Sequence, residues 1–273
     1  MRIITNAIPV ALLALAASLA APPPGHAAER YACMIEPKMV VKLGSQASGV
    51  LKEVLVDRGD TVKAGDVIAV LESTIEEHNL ALTRERAQSD ADVRLAGEAA
   101  QLNESILSRR KTLFKSNVVS EEVLEKAQSD AKMRSLEAER ARTAQTIAQL
   151  DAQRAKALLD IRTIRSPIDG VIVNRKMSPG EFVRDESQIV EIAQIDPLYV
   201  HAFLPVTLFQ QLRAGVLGAV TLEQPIGGVY RATVSVKDPI VDPASSTFLV
   251  RLALPNASQA IPSGIRCTVT FEN

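Results

Sequence analysis

The chain of 273 residues contains no tryptophan, and aromatic residues make up only 3% of it. Such a composition argues against a ligand pocket lined by aromatic side chains and suits alanine-rich helices and small β-barrels. The three histidines, His26, His78 and His201, are isolated, so no metal site of recognisable spacing is predicted. The formal net charge is −1, which gives no indication of a nucleic-acid partner. Because no catalytic constellation stands out either, we expect a non-enzymatic protein without a metal or a cofactor.

The N-terminus carries an apolar run from Ala7 to Ala21, followed by Pro-Pro-Pro-Gly. This pattern predicts a secretory signal peptide over residues 1–28, cleaved after Ala27 or Ala28. A retained membrane anchor is the alternative, although the run is shorter than the roughly 20 residues that a membrane span needs. No cysteine follows the run directly, which argues against a lipoprotein. The mature protein is therefore predicted to be exported and soluble.

Cysteine is almost as scarce as tryptophan, with only Cys33 and Cys267, which lie near the two ends of the mature chain. An exported protein can keep a disulfide, so the two residues form a possible disulfide. Two buried thiols on neighbouring or unrelated strands are the alternative.

Proline is absent between Ser73 and Arg165, and Gly97 is the single glycine there. The stretch is rich in Ala, Glu, Arg, Gln and Leu, which favour helices. A short break at residues 115–120 divides it. We predict two helices of roughly 40 residues each, folded back as a hairpin, with each arm about 60 Å long.

Heptad spacing on both arms predicts the seam along which they pack. The predicted seam of the first arm is Leu95, Ala99, Leu102, Ile106, Arg109 and Leu113. That of the second arm is Ser120, Leu124, Ala127, Ala131, Arg134, Ala138 and Ala141. A further stripe in another register, Leu136, Thr143, Ile147, Leu150, Ala157 and Ile161, indicates either a different contact near the base or a face for another subunit. The many charges elsewhere are expected to be solvated.

The segments on either side of this stretch repeat each other at a constant spacing without a gap. Gly49 corresponds to Gly170 and Gly59 to Gly180, and the apolar positions between them coincide. All four are predicted to be turn glycines. Each half alternates apolar and polar residues as short strands do. Gly59 and Gly180 fall where tight turns would need a positive φ. Two such halves are expected to pack as one small β-sandwich, because neither could bury its apolar face alone.

The composition changes again at Pro197. Strands are predicted at 198–203, 219–222, 229–237, 247–254 and 266–272, with a helix from Pro205 to Arg213. The turns carry Gly-Gly, Asp-Pro and Pro-Ser-Gly. These signals predict a small antiparallel β-barrel.

The repeated half resembles the biotinyl/lipoyl carrier fold, in which the turn between the halves presents a modified lysine. Here the helical stretch occupies that junction, while Lys63 and Lys176 lie within the halves. A carrier subunit is therefore a weak alternative. A lipoyl-like fold split by a long hairpin resembles the periplasmic adaptor family, also called membrane fusion or HlyD-like proteins, over roughly residues 38–272.

The resemblance implies an α+β fold: a long antiparallel helical hairpin inserted in a split lipoyl-like β-sandwich, followed by a small antiparallel β-barrel. The expected domains are a signal peptide at 1–28, an N-terminal strand and first half at 29–73, the hairpin at 74–165, the second half at 166–196 and the barrel at 197–273. The sequence stops where the barrel stops. A membrane-proximal domain, usual in the family, is therefore expected to be missing or supplied by a partner.

Arg109, Leu113 and Ser120 stand at the end of the predicted hairpin with the spacing Arg-x3-Leu-x6-Ser. This spacing matches the tip motif of adaptors that dock to TolC-like outer-membrane channels. An arginine offers fork-shaped hydrogen bonding, and an exposed leucine offers an apolar knob for a groove. Without a channel the same residues would be a surface arginine, the last seam position and a helix cap.

The resemblance thus implies a periplasmic adaptor of a tripartite efflux pump, held at the inner membrane through its partners and self-associating into a ring. Its partners would be a TolC-like channel and an inner-membrane transporter, of the resistance-nodulation-division (RND) class rather than the ATP-binding-cassette (ABC) class. An adaptor of type I protein secretion is the alternative. Such adaptors usually keep an N-terminal membrane span and longer hairpins.

Overall fold

A computed structural model describes Arg2 and residues 29–271, and the predicted signal peptide lies outside these described residues apart from Arg2. The described chain has two hydrophobic cores. One core belongs to the repeated segments and the other to the C-terminal strands. The helices leave from the first of these two bodies. None of the described helices combines the length and the apolar content of a membrane span.

The repeated segments form short strands that pair across the repeat. They are β2 (Gly49–Val54), β3 (Thr61–Val62), β4 (Val67–Leu71), β5 (Thr163–Arg165), β6 (Gly170–Arg175) and β7 (Phe182–Val183). Strand β2 pairs with β7, β3 pairs with β6, and β4 pairs with β5, all antiparallel. Each half therefore supplies strands that complete the other half.

Reciprocal hydrogen bonds join the two halves with the symmetry of the repeat. The amide of Gly59 donates to the carbonyl of Ile172 at 2.9 Å, and the amide of Gly180 donates to the carbonyl of Leu51 at 2.7 Å. In return, the amides of Leu51 and Ile172 donate to the residue that follows each glycine, at 2.8 and 2.9 Å. The alignment seen in the sequence is thus a correspondence of backbone contacts.

The positive φ expected at Gly59 and Gly180 is confirmed, with values of 97° and 89°. The prediction that Gly49 and Gly170 are also turn glycines is wrong. They are the first residues of β2 and β6. At Gly170 a Cβ atom would lie 2.4 Å from the carbonyl oxygen of Ala193, so this glycine is needed for close approach of two strands.

Both halves contribute equivalent side chains to one core. The buried residues are Leu51, Val62, Ile68, Ala69 and Leu71 from the first half, and Ile164, Ile172, Val183, Ile189, Val190 and Ile192 from the second. Five positions of the first half recur as buried positions in the second. The expectation that neither half buries its apolar face alone agrees with this shared core.

The hairpin follows β4 and returns at β5. Its helices are α1 (Thr74–Gln88), α2 (Ala91–Lys115) and α3 (Glu121–Asp160). The prediction of one continuous first arm is wrong, since it is interrupted at Ser89, whose ψ of 113° is extended. Serine and aspartate are poor helix formers because their side chains compete for backbone hydrogen bonds, and Ser89-Asp90 stands at this break. The second arm has the predicted 40 residues.

The seam predicted on the first arm is wrong by one residue. The least exposed positions of α2 include Val93, Ala96, Ala100, Asn103 and Leu107, whereas the predicted Leu95 is 73% exposed. The contact face of α1 follows the same spacing through Leu80, Thr83 and Ala87. The break at Ser89 shifts the phase of this face by one residue on entering α2.

On α3 the predicted seam is present except at Ser120 and Arg134, which are exposed, and the contact face continues to the base. Ala131, Ala138 and Ala155 are buried along it, and other small residues between them are half-buried. The further stripe lies mostly in solvent. Its members Leu136, Thr143, Ile147, Leu150 and Ala157 are exposed, so they do not form a second contact between the arms.

The C-terminal strands form a sheet that returns to its first strand. The elements are β1 (Tyr31–Leu43), β8 (Val190–Pro205), β9 (Leu217–Leu222), β10 (Val229–Asp242), β11 (Thr247–Leu254) and β12 (Arg266–Phe271). They follow the order β1-β12-β9-β10-β11-β8, and β8 also pairs with β1, which closes a six-stranded ring. Residues 31–37 therefore belong to this ring, although the sequence grouped them with the first half.

Two features tie the ring together at β1. Cys33 lies opposite Cys267 in the register of β1 and β12, and their sulfurs are joined in a disulfide with a Cα–Cα distance of 4.9 Å. The long strands β1 and β8 run side by side from the ring into the body formed by the repeated segments 49–71 and 163–192, which we call the repeat body.

The prediction of a helix from Pro205 to Arg213 is wrong. Only the 3-10 turn Val206–Leu208 forms, and Phe209 packs edge-on against Phe248.

The close strand approach at Gly170 gives a test of the repeat body. We expect Gly170→Ala to lower the free energy of unfolding by about 1–3 kcal/mol, because the added methyl group meets backbone atoms that cannot move aside. Gly97→Ala is the matched control. Gly97 lies in α2 with open space around it, so the change should raise stability by about 0.5–1 kcal/mol. Urea unfolding measures both, and equal effects would contradict the assignment.

Candidate functional site

At the tip of the hairpin, α2 ends in a Schellman motif built around Asn117. This residue has a φ of 62°, in the left-handed region that asparagine tolerates better than most side chains. Its amide donates to the carbonyl of Phe114 at 2.9 Å, and the amide of Val118 donates to the carbonyl of Leu113 at 3.0 Å. These two bonds satisfy carbonyls at the end of α2 and reverse the chain.

All three residues of the predicted tip motif lie at this end and are exposed. Arg109 and Leu113 are one helical turn apart on α2, and the side chain of Leu113 is 36% exposed. Ser120 is the residue before α3, but its hydroxyl makes no capping hydrogen bond. The carbonyl of Ser120 accepts from the amide of Leu124 at 3.3 Å. Ser120 is thus exposed, with a hydroxyl that does not cap α3.

Two apolar side chains at the tip were not singled out in the sequence. Phe114 is 37% exposed and Val118 is 65% exposed. Together with Leu113 they form the tip patch, an apolar surface at the farthest point of the hairpin. The sequence does show two apolar pairs close together at the break between the helices, Leu113-Phe114 and Val118-Val119.

The charges around the tip patch divide by helix. The last seven residues of α2 carry Arg109, Arg110, Lys111 and Lys115, and the first five residues of α3, before Lys126, carry Glu121, Glu122 and Glu125. Each sign lies at the helix end where the macrodipole stabilises it. Within residues 29–271, none of these seven side chains forms an ion pair within 4.0 Å. The tip therefore offers an apolar patch between a basic side and an acidic side.

The base of the hairpin is fixed to the repeat body by Arg162, the second residue after α3. Its guanidinium donates to Glu76 of α1 at 2.5 Å and to the carbonyl of Ser48 at 2.9 Å. The carbonyl of Arg162 also accepts from the amide of Leu71 at 2.9 Å. Both side chains of the ion pair are about one-fifth exposed, so they are partly shielded from solvent. This arrangement fixes the direction in which the arms leave the body.

A second contact orders the beginning of α1. The hydroxyl and the amide of Thr74 both donate to the carboxylate of Glu72, which lowers the pKa of that carboxyl. Ser73 is buried and its hydroxyl donates to Glu77 at 2.8 Å. Side-chain hydrogen bonds therefore fix the beginning of α1 as well as the end of α3.

The described residues offer no group of three or more His, Cys, Asp or Glu side chains that could hold a metal ion. Lys176, within the repeat, donates to the side chain of Gln188 at 2.7 Å and lies 3.8 Å from Glu191. Lys63 lies in the turn between β3 and β4.

Comparison with known proteins agrees with the architecture described above. The model of a family described as the CzcB-like, barrel-sandwich hybrid domain matches residues 39–194, which is more than half of the chain. The structure of MacA from Actinobacillus actinomycetemcomitans superposes with a TM-score of 0.73 at 20% identity, covering 89% of this chain and 78% of that one. The membrane fusion protein Spr0693 from Streptococcus pneumoniae R6 gives a TM-score of 0.61 at 15% identity, with coverage of 90% and 99%. At these identities the two structures support the fold alone.

Curated relatives extend beyond this chain. The nickel and cobalt resistance protein CnrB from Cupriavidus metallidurans is 27% identical over 81% of this chain and 52% of its own length. The nodulation protein NolF from Rhizobium meliloti is 27% identical over 82% of this chain and 57% of its own length. The chain thus spans about half the length of these relatives. The family model covers all of the repeated segments and the whole hairpin, so the chain belongs to the CzcB-like barrel-sandwich hybrid family, the membrane fusion proteins or periplasmic adaptors.

Proposed function

We propose that this chain is a non-enzymatic periplasmic adaptor of a tripartite efflux pump. It would bridge an inner-membrane transporter, of the RND class rather than the ABC class, to a TolC-like outer-membrane channel. The observation that carries the proposal is the exposed tip patch at the end of a long hairpin that is fixed at its base. The resistance named for CnrB is consistent with an export role but gives no substrate for this chain.

The geometry supports docking by the tip rather than by the sides of the hairpin. Leu113, Phe114 and Val118 are exposed together at the point farthest from the body, where no other element of the described chain covers them. Arg109 lies one turn back and can form two parallel hydrogen bonds with a carboxylate or with carbonyls. A groove between two helices of a channel would accept the apolar knob and bring polar groups to the arginine.

The rest of the proposal follows from the family. The ring and the repeat body would associate side by side with other copies, so that several tips engage one channel. The work of such a protein is assembly and sealing, which needs no reaction centre. Residues 1–28 would direct export, and the mature chain would reach the inner membrane through its partners.

A single substitution at the tip tests channel docking. We expect Leu113→Asp to reduce capture of an outer-membrane channel at least tenfold, because a carboxylate in an apolar groove costs more than 1.4 kcal/mol of binding free energy. Capture is measured by a thiol-directed photo-crosslinker placed with Lys115→Cys. Both native cysteines are in the disulfide, so the new thiol is the only free one in the described chain.

Leu82→Asp is the matched control for that experiment. Leu82 is also an exposed leucine, 51% accessible, but it lies in α1 near the base. Its substitution should leave capture unchanged. Docking by the tip is refuted if Leu113→Asp captures the channel as well as the parent does, or if the tip crosslinks to a protein that is not in the outer membrane.

The shape of the turn should matter as much as its apolar side chains. Asn117→Val places a β-branched residue at a φ of 62°, which costs about 1–2 kcal/mol and should distort the tip. Asn117→Gly keeps the left-handed conformation without strain. In the same crosslinking assay, we expect the valine variant to lose capture several-fold and the glycine variant to retain it. A valine variant that docks normally would show that the turn geometry is unimportant.

A further inference from the structure

The tip of the hairpin carries its charges in two blocks of opposite sign, one on each helix. Residues 109–115 of α2, which we call the basic segment, contain four Arg or Lys and no Asp or Glu. Residues 121–125 of α3, which we call the acidic segment, contain three Glu and no Arg or Lys. All seven charged side chains are exposed. Beyond the two segments the signs mix again, since Glu104 precedes the first and Lys126 follows the second.

The helix macrodipole accounts for only part of this pattern. Its effect falls off within the first and last turns of a helix. Of the basic segment only Lys115 lies in the last turn of α2, and of the acidic segment Glu121 and Glu122 lie in the first turn of α3. The three cations at residues 109–111 and the carboxylate of Glu125 lie beyond these turns. They therefore need another explanation.

Like charges within each segment repel one another. Lys111 and Lys115 are four residues apart on α2, and Glu121 and Glu125 are four residues apart on α3, so each pair shares a helix face. Such pairs destabilise a helix. The grouping of the charges thus lowers the stability of the free hairpin, which points to a role in contact with another molecule.

The two segments do not neutralise each other across the turn. In the part of the chain that the structure describes, no ion pair within 4.0 Å includes a residue of either segment. Elsewhere the hairpin does form ion pairs along its helices, at 3.0, 2.8 and 3.5 Å: Arg94–Asp90, Arg134–Glu137 and Lys156–Asp160. Both segments thus keep their charges available for a partner.

The tip patch lies between the two segments along the chain. Leu113 and Phe114 belong to the end of α2, and Val118 belongs to the turn. A groove that encloses these side chains has one wall next to α2 and the other next to α3. In one orientation each wall can meet the opposite charge, and in the reverse orientation each wall meets its own sign, which is unfavourable.

We propose that the tip is recognised by a groove whose charges are divided in the opposite sense, with carboxylates facing α2 and cations facing α3. This inference rests on the proposed docking to an outer-membrane channel, and it adds the chemistry that the channel presents. The tip patch supplies apolar contact. The two segments select the partner and the orientation in which the tip enters the groove, because a groove of one sign repels one of them.

Reversing the charge of one segment at a time tests the proposal. The variants are Lys111→Glu/Lys115→Glu and Glu121→Lys/Glu125→Lys in the full chain, and the probe is the purified TolC-like channel of the same cells, held in nanodiscs. We expect each variant to raise the Kd about tenfold at ~0.05 M salt and much less at ~0.5 M salt, because salt screens the repulsion.

Two matched controls make the same changes in net charge away from the tip. They are Arg140→Glu/Arg142→Glu in α3 and Glu85→Lys/Glu98→Lys in the first arm, all at exposed positions. We expect both to leave the Kd within about twofold of the parent value, since distant exposed charges are screened.

A stability measurement separates recognition from helix stabilisation. Lys111→Gln and Glu125→Gln each remove a like-charge pair, and glutamine forms helices about as well as lysine or glutamate. We expect the Tm of each variant to stay unchanged or rise, while the Kd for the channel rises about threefold. A lower Tm with unchanged binding would show that these charges serve the helices alone, which overturns the proposal.

The reversal variants have distinct outcomes. Weaker binding by both supports a groove with divided charges. If either variant binds as tightly as the parent or more tightly, the proposal is overturned, and tighter binding by one of them assigns a single sign to the channel surface. Loss of binding by Leu113→Asp would then show that docking by the tip still stands. If the parent does not bind the channel, or Leu113→Asp binds equally well, the docking proposal itself fails and this inference fails with it.

Discussion

The shared core of the repeat body is the interaction on which the rest of the structure depends. Leu51 and Ile172 occupy equivalent buried positions, and each donates to, and accepts from, the turn of the opposite half. Neither half has enough apolar surface to fold alone, so the chain must bring them together from both sides of the long hairpin. The contacts that close the body also close the base of the hairpin.

These contacts fix both ends of the hairpin to the repeat body. The strands β4 and β5 are paired at the base, and Arg162 joins the repeat body to α1 by an ion pair and backbone hydrogen bonds. Small residues along α3 let the arms approach closely, which leaves the larger apolar side chains outside the seam. The tip thereby lies at the far end of arms whose base is joined to the repeat body.

The repeat and the hairpin could be predicted from the sequence because their signals are regular: a constant spacing of glycines and apolar residues, and a long stretch without proline. The seam of α2 could not be predicted, because Leu95 and Leu102 have the stronger heptad signal and yet are 73% and 59% exposed. The contact face instead runs through neighbouring positions, of which Leu107 is buried, and the break at Ser89 shifts the phase of that face. The place of β1 in the ring depends on pairing with β8 and β12, which are distant in sequence. At the tip, the spacing Arg-x3-Leu-x6-Ser does not include Phe114 and Val118, so their exposure was found only in the structure.

The most direct test of the account is to remove the hairpin and ask whether the remaining body still folds. Residues 74–161 would be replaced by a short Gly-Ser linker, which is possible because the amide of Leu71 is 2.9 Å from the carbonyl of Arg162. The account predicts a chain that unfolds in one cooperative urea transition, retains the Cys33–Cys267 disulfide and keeps protected amides at Leu51 and Ile172 in hydrogen exchange. A shortened chain in which those two amides exchange freely while the ring remains folded would contradict the claim that the two halves form one body.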